Sequence, residues 1–312
     1  MASPESSVHR PDPPVCLVLG AGALGRLWAA YLPDNSRGFI PRKRDQTGHC
    51  RYALVTPTGE IRPVNVPWRQ PASPDIPDCL LVTTKAQDTL TALTDVLQHL
   101  LPQTPIVLFQ NGMGSQQVVA AQWPDRPVLA AVTTEGANRP DADTLIHAGL
   151  GETWVGGLNP AGCKAQSRVV TALASSGLIV HSEPDIAQRL LRKLAVNAGI
   201  NPFTAIIDCP NGDILKQPFY LEHIDELCRE IAALMHHKGW QVAASELRQQ
   251  IEQVARTTAK NTSSMRSDII NGRVTEIRFI NGWIAQECQR HHLPSRVNHM
   301  LTTWVQDLSA IA

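Results

Sequence analysis

The sequence predicts an α/β chain, with an amino-terminal domain built on a parallel sheet and an all-helical domain after it. Three observations predict this. An apolar run at 15–19 leads into a glycine-rich turn and a helical stretch, further apolar runs recur at strand–helix spacing as far as 181, and after residue 183 the pattern is helical only. The 312 residues suit two domains, and 43% of them are hydrophobic, enough for packed cores.

The first residues, MASPESSVHRPDPP (1–14), are polar and proline-rich and lack the apolar core of a signal peptide, so they read as a disordered tail. VCLVL (15–19) then reads as a buried parallel strand. It runs into Gly20, Ala21, Gly22, Ala23, Leu24 and Gly25, and RLWAAYL (26–32) continues as helix. Strand, G-x-G-x-x-G and helix in that order form the dinucleotide-binding arrangement of a Rossmann-type domain. Gly20 permits the tight turn, Gly22 lets backbone approach a pyrophosphate, and Gly25 lets helix pack on strand. The helix start offers unpaired N–H groups to the phosphates.

The ribose end of such a site falls about 20 residues further on. That stretch, RGFIPRKRD (37–45), reads as a loop. Asp45 would suit a free 2′-hydroxyl, but the cations Arg42, Lys43 and Arg44 suit a 2′-phosphate better, which favours NADP over NAD.

Strands follow at 79–84, 106–109 and 128–132, ending at Lys85, at QNGMG (110–114) and at TTEGA (133–137). Ligands of open α/β sheets lie beyond the carboxyl ends of the strands, so Lys85, Asn111 and Ala137 form a candidate cofactor rim. Segments 144–148 and 153–155 read as a hairpin around Gly149 and Gly151, and 178–181 as a last strand. The nucleotide-binding domain is thus expected over 15–183 and the helical domain over 184–312, with helices at 185–206, 217–238, 243–259, 262–271 and 275–291.

The first of these helices carries Lys193, Asn197 and Asn201 at four-residue intervals among Leu194, Ala195, Val196, Ala198 and Ile200. A helix turns about 100° per residue, so the three polar groups share one face. A solvated face is one reading, and a polar row lining a cleft is the other. Asparagine is a poor helix former tolerated where its side chain is needed, which favours the cleft. Pro202 is expected to kink or end the helix.

Composition excludes several functions. With 28 basic and 28 acidic residues the formal charge is zero, which suggests neither nucleic acid nor an anionic membrane as partner. The seven cysteines are scattered without a C-x-x-C pair, which argues against structural zinc or a disulfide framework and fits a reducing cytosol. The His236–His237 and His291–His292 pairs lack partners at metal spacing, so no metal is expected. No apolar run reaches the roughly 20 residues of a membrane span.

From residue 15 onward the chain resembles the ketopantoate reductases, the NADPH-dependent enzymes of pantothenate synthesis. The resemblance rests on GAGALG (20–25), Lys85, QNGMG (110–114), RKLAVNAGINPFTAI (192–206), CPNG (209–212), TSSMRSDI (262–269), and TEI and ING around Glu276 and Asn281. It implies Lys193 as general acid and Asn197, Asn201 and Asn211 as substrate holders, with Ser264 and its neighbours on the opposite wall. Asn111 would touch both cofactor and substrate, Lys85 and Ala137 would line the cofactor, and Glu276 would reach the nicotinamide side and support catalysis. Two departures stand out: Arg278 where the family usually has Asp, and a 37–45 loop in which Arg42, Lys43 or Arg44 could meet the 2′-phosphate. The implied protein is a monomer or homodimer acting on a small 2-oxo acid.

Other templates fit poorly. Tyr31, Tyr52 and Tyr220 all lack a lysine four residues on, so the Tyr-x-x-x-Lys pair is absent. His147 could mimic a catalytic histidine, but its place in the first domain favours a structural role. A catalytically silent NADP-binding regulator would keep the glycine turn and could dispense with Lys193, Ser264 and Glu276. A reductase of another 2-oxo acid is the remaining rival.

Overall fold

The computed structural model describes residues 15–43, 45–70 and 77–311; the tail expected over 1–14 and the cation Arg44 fall outside them. In chain order the elements are β1 (Cys16–Leu19), α1 (Ala23–Tyr31), β2 (Arg37–Ile40), β3 (His49–Val55), β4 (Ile61–Pro67), β5 (Cys79–Val82), α2 (Ala86–Leu97), β6 (Ile106–Leu108), α3 (Ser115–Gln122) and β7 (Val128–Thr133). Then come β8 (Gly136–Asn138), β9 (Thr144–Gly149), β10 (Glu152–Gly157), α4 (Pro160–Ala174) and β11 (Ile179–Ser182). Helices follow: α5 (Ile186–Ile207), α6 (Pro218–His237), α7 (Ala244–Thr257), α8 (Ser264–Ile270), α9 (Asn281–Arg290) and α10 (Arg296–Ile311).

The chain forms two compact units. Among the described residues, one holds those up to Thr84, Thr91–Phe109 and Gln122–Pro184; the other holds Lys85–Leu90, Gln110–Ala121 and those from Asp185 onward. In the first, a sheet of order β11-β10-β7-β6-β5-β1-β2 is parallel from β2 across to β7. Strands β1, β2, β5, β6 and β7 are buried along their whole length, as a sheet covered on both faces requires. Strand β1 pairs with β2 on one side and β5 on the other, so strand order reverses beside the glycine turn. The core there is built around Trp28, Phe39 and Leu81, with Trp28 against Phe109 at 5.3 Å.

Four features depart from the sequence reading. First, 37–40 is a buried strand rather than loop. Its Arg37 binds the carbonyls of Ala30 and Leu32 where α1 ends, which uses the cation on a helix C-terminus.

Second, a separate sheet of order β4-β3-β9-β8 contains three strands that the sequence pattern does not assign, β3, β4 and β8. Third, 144–148 and 153–155 do not pair as a hairpin: β9 joins β3 and β8, whereas β10 joins β7 and β11. The chain passes between sheets at Gly151, where a Cβ would lie 2.4 Å from the Thr134 carbonyl carbon, and the exit of β7 captures β10 through Thr134 N to Glu152 O at 2.9 Å.

Fourth, α5 neither ends nor breaks at Pro202. It starts at an Asp185 cap that accepts from Gln188 N and runs to Asp208, in left-handed conformation at φ 54°. A proline at 202 cannot donate to Ala198 O. Asn281 Nδ2 supplies that bond from α9, at 3.3 Å. The same Nδ2 donates to Asn298 Oδ1, and Asn298 Nδ2 to Glu230 Oε2. Glu230 also accepts from Val297 N and Asn298 N, so a buried carboxylate closes the start of α10, a helix the reading omitted.

Within the described residues, no helix is long and apolar enough to cross a membrane, and no group of three or more His, Cys, Asp or Glu is placed to hold a metal.

Candidate active site

The glycine turn has the shape its sequence predicts. Gly20 adopts φ 111°, and a Cβ there would lie 2.8 Å from Thr84 N. At Gly25 a Cβ would lie 2.0 Å from Gly20 O and 2.5 Å from Thr83 Oγ1, so only glycine lets α1 sit on the turn. Gly22 differs: a Cβ there would meet no atom within 4 Å. It caps α1 without a side-chain hydrogen bond, leaving the first backbone N–H groups to whatever the turn receives. The turn therefore fits a pyrophosphate.

Arg42 and Lys43 are exposed, just beyond β2. Ala137 is not on the loop leaving β7. It lies in β8, half-buried against the core of the sheet-forming unit.

The helical unit gathers the chemistry. Gly112 (φ 80°) lies so close to Phe279 that a Cβ would be 2.4 Å from its carbonyl oxygen, and Met113 N donates to that oxygen at 2.8 Å. This lays 110–114 along 276–279 and sets Asn111 beside Glu276, with Nδ2 donating to Oε2 at 3.4 Å. The other carboxylate oxygen accepts from Ala86 N, at the first turn of α2, at 3.1 Å.

Burial raises the Glu276 pKa above the usual carboxylate value, opposed by those two hydrogen bonds and by the Lys85 charge. Burial likewise pulls the Lys193 ammonium down to about 8, and the negative charge of Glu276 opposes that fall. Lys193 and Asn197 are half-buried and Asn201 is buried, so the stripe is not a solvated face.

Lys85 is tied to Asp268 Oδ2 at 2.9 Å and to Val274 O at 2.6 Å. Asp268, which also accepts from Arg273 at 2.9 Å, is the residue the sequence reading missed. Its signal was an acid inside the already quoted TSSMRSDI, eight residues before Glu276.

Asn211 is buried and gives Nδ2 to Thr258 Oγ1 at 3.0 Å, while its Oδ1 has no protein partner. Ser264 is exposed at the first position of α8, and Ser263 beside it caps that helix through Arg266 N. Arg278 is exposed and lines a cavity of about 590 Å³ with Met113, Phe279, Trp283 and Glu287.

Gly20–Gly25, Arg42 and Ala137 belong to the other compact unit. His147 is there too, buried between Tyr31 OH at 2.8 Å and Glu135 Oε2 at 2.7 Å, where it joins β9 to α1 and the β7 exit.

Comparison with known proteins decides the family. The family model "Ketopantoate reductase PanE/ApbA" matches residues 16–160, and "Ketopantoate reductase PanE/ApbA C terminal" matches 185–309. The chain belongs to the ketopantoate reductase family. The 2-dehydropantoate 2-reductase of Vibrio cholerae is 32% identical over 292 residues, covering 94% of this chain and 97% of that protein. The enzyme of the same name from Shigella flexneri is 35% identical over 295 residues, covering 93% of each. The fold recurs in a D-mandelate dehydrogenase solved with NADH and anilino(oxo)acetate, at TM-score 0.84 and 21% identity over 95% of this chain and 99% of that one. Membership in the ketopantoate reductase family accounts for the joint presence of the glycine turn and the Lys193–Glu276 pair, which the silent-regulator alternative leaves unexplained.

Proposed function

We propose that this chain reduces 2-dehydropantoate to pantoate with NADPH. The observation that carries the reading is the half-buried Lys193, electrostatically coupled to a Glu276 that is itself anchored by Ala86 N and Asn111. NADPH supplies the hydride. Negative charge then grows on the ketone oxygen, and Lys193 Nζ stabilises it and delivers the proton. Glu276 holds Lys193 charged and would reach the nicotinamide side of the bound cofactor. Asn197 and Asn201 hold the oxygens of the acid, joined by Asn111, Asn211 and Ser264.

Gly20–Gly25 would take the pyrophosphate, Lys85, Asn111, Ala137 and Glu276 would line the cofactor, and Arg42, Lys43 or Arg44 would meet the 2′-phosphate. In this reading residues 15–183 and 184–312 are the nucleotide and substrate domains. The enzyme is cytoplasmic, a monomer or homodimer, and has neither nucleic acid nor membrane as partner.

The fold shared with a D-mandelate dehydrogenase keeps a second reading in play, reduction of a different 2-oxo acid. NADPH oxidation across a panel of 2-oxo acids, with phenylglyoxylate beside 2-dehydropantoate, separates the two: 2-dehydropantoate should give the highest kcat/KM. The same assay with Arg42, Lys43 and Arg44 all changed to Ala should raise the NADPH KM and leave NADH little affected. Equal efficiency with both nucleotides in the unmodified enzyme would overturn the 2′-phosphate assignment.

A pair of glycine variants tests the turn. Gly25→Ala forces a methyl into Gly20 O and should destabilise the protein by about 1–3 kcal/mol, as overpacking does. Gly22→Ala meets no protein atom, so the melting temperature should hold while NADPH affinity falls. A Gly22→Ala protein with unaltered NADPH affinity would remove the pyrophosphate from this turn.

A further inference from the structure

Helix α5 carries two amides on the turn around a proline. Pro202 follows Asn201 directly, and Ala198, whose carbonyl the proline cannot serve, follows Asn197. The position of this turn therefore depends on what replaces the missing bond, because a proline ring also pushes that carbonyl away from the helix axis.

The replacement comes from outside the helix. Asn281, fully buried at the first position of α9, donates Nδ2 to Ala198 O at 3.3 Å and to Asn298 Oδ1 at 3.1 Å. Two acceptors on one side fix the orientation of the amide, since the reverse placement would set oxygen against oxygen. Its own Oδ1 has no protein partner and is buried. An unmade bond of that kind is unfavourable, so the amide is explained by what its nitrogen does. Asn298 is held in turn by the buried Glu230, which caps α10, so the donor is braced by two further helices, α6 and α10.

We infer that Asn281 is a positioning residue for substrate: by bonding Ala198 O in place of the Pro202 N–H, it sets where Asn197 and Asn201 present their amides. This deepens the proposed function and rests on the reading of those two amides as substrate holders. It assigns specificity to a side chain that reaches the substrate only through the α5 backbone.

The test is a double-substitution cycle. Asn281→Leu removes the donor at similar volume and should raise KM for the 2-oxo acid about tenfold, the worth of one hydrogen bond, while kcat and NADPH affinity stay within about twofold. Pro202→Ala restores a backbone N–H for Ala198 O. In the Asn281→Leu background it should bring KM back to within about threefold of the unmodified enzyme, because the helix again closes its own bond. Asn281→Ser, which keeps a shorter donor, serves the same cycle if the leucine variant folds poorly.

A merely structural asparagine would lower the active fraction, and so kcat, with KM unchanged; that result overturns the proposal, as does a raised KM that Pro202→Ala fails to recover. KM is read with whichever acid of the panel the unmodified enzyme turns over. An enzyme inactive on all of them fails the proposed function, whereas strictly additive losses in melting temperature across the cycle fail the Asn281–Pro202 coupling itself.

Discussion

Lys193→Ala is expected to lower kcat by roughly 10²–10⁴-fold, the usual worth of a positioned proton donor. NADPH binding should survive, because the glycine turn belongs to the other compact unit. Asn197→Ala and Asn201→Ala should instead raise KM, since neither amide has a readily transferable proton. Steady-state kinetics on the three variants, with NADPH titrated separately, checks the pattern. Near-normal turnover in Lys193→Ala would remove it from the proton path. Loss of NADPH affinity in step with activity would make it a cofactor contact.

The second large effect is on pH. An ordinary lysine, with a pKa near 10.4, would keep a general acid loaded well into the alkaline range. Here burial brings Lys193 down to about 8. The proton must be present for the reduction, so kcat/KM, which reports the groups of the free enzyme, should be flat below that pH and fall above it, approaching tenfold per pH unit.

Glu276 opposes the fall in the lysine pKa. Glu276→Gln removes the charge but keeps an oxygen for Ala86 N, so the alkaline limb should move to lower pH with the fold intact. A limb that stays in place in Glu276→Gln, or a wild-type profile flat beyond pH 10, would contradict the coupling.

How far the sequence could be read depended on the range of the interactions. The glycine turn and its flanking strand and helix are local, and they appear where the pattern placed them. The helical stripe was legible because its period is local too. Strand β2 was not, because a four-residue RGFI with an arginine looks like loop until the end of α1 supplies two carbonyls for it. Strand β4 contains Pro63 and Pro67 and finds its place only by pairing with β3.

Pro202 removes a hydrogen bond as its sequence predicts, yet the helix does not end there and fills the expected 185–206 span, since a substitute donor lies in α9. Asp268 escaped because its role as partner of Lys85 exists only once residues far apart in sequence meet.

The helical unit is not one uninterrupted stretch of chain: Lys85–Leu90 and Gln110–Ala121 are threaded into it from the sheet-forming half. The backbone N–H that grips Glu276 and the lysine that pairs with Asp268 both arrive on the first of these segments. The unit therefore cannot be inherited as a cassette. A single recombination crossover near residue 184 would join a carboxylate from one parent to an anchoring turn from another, and the chimera would work only if both parents had kept the two segments in register. Gene shuffling between relatives should accordingly tolerate single crossovers beyond Glu276 better than any between Leu90 and Asp268, which part the anchoring turn from the carboxylates it serves.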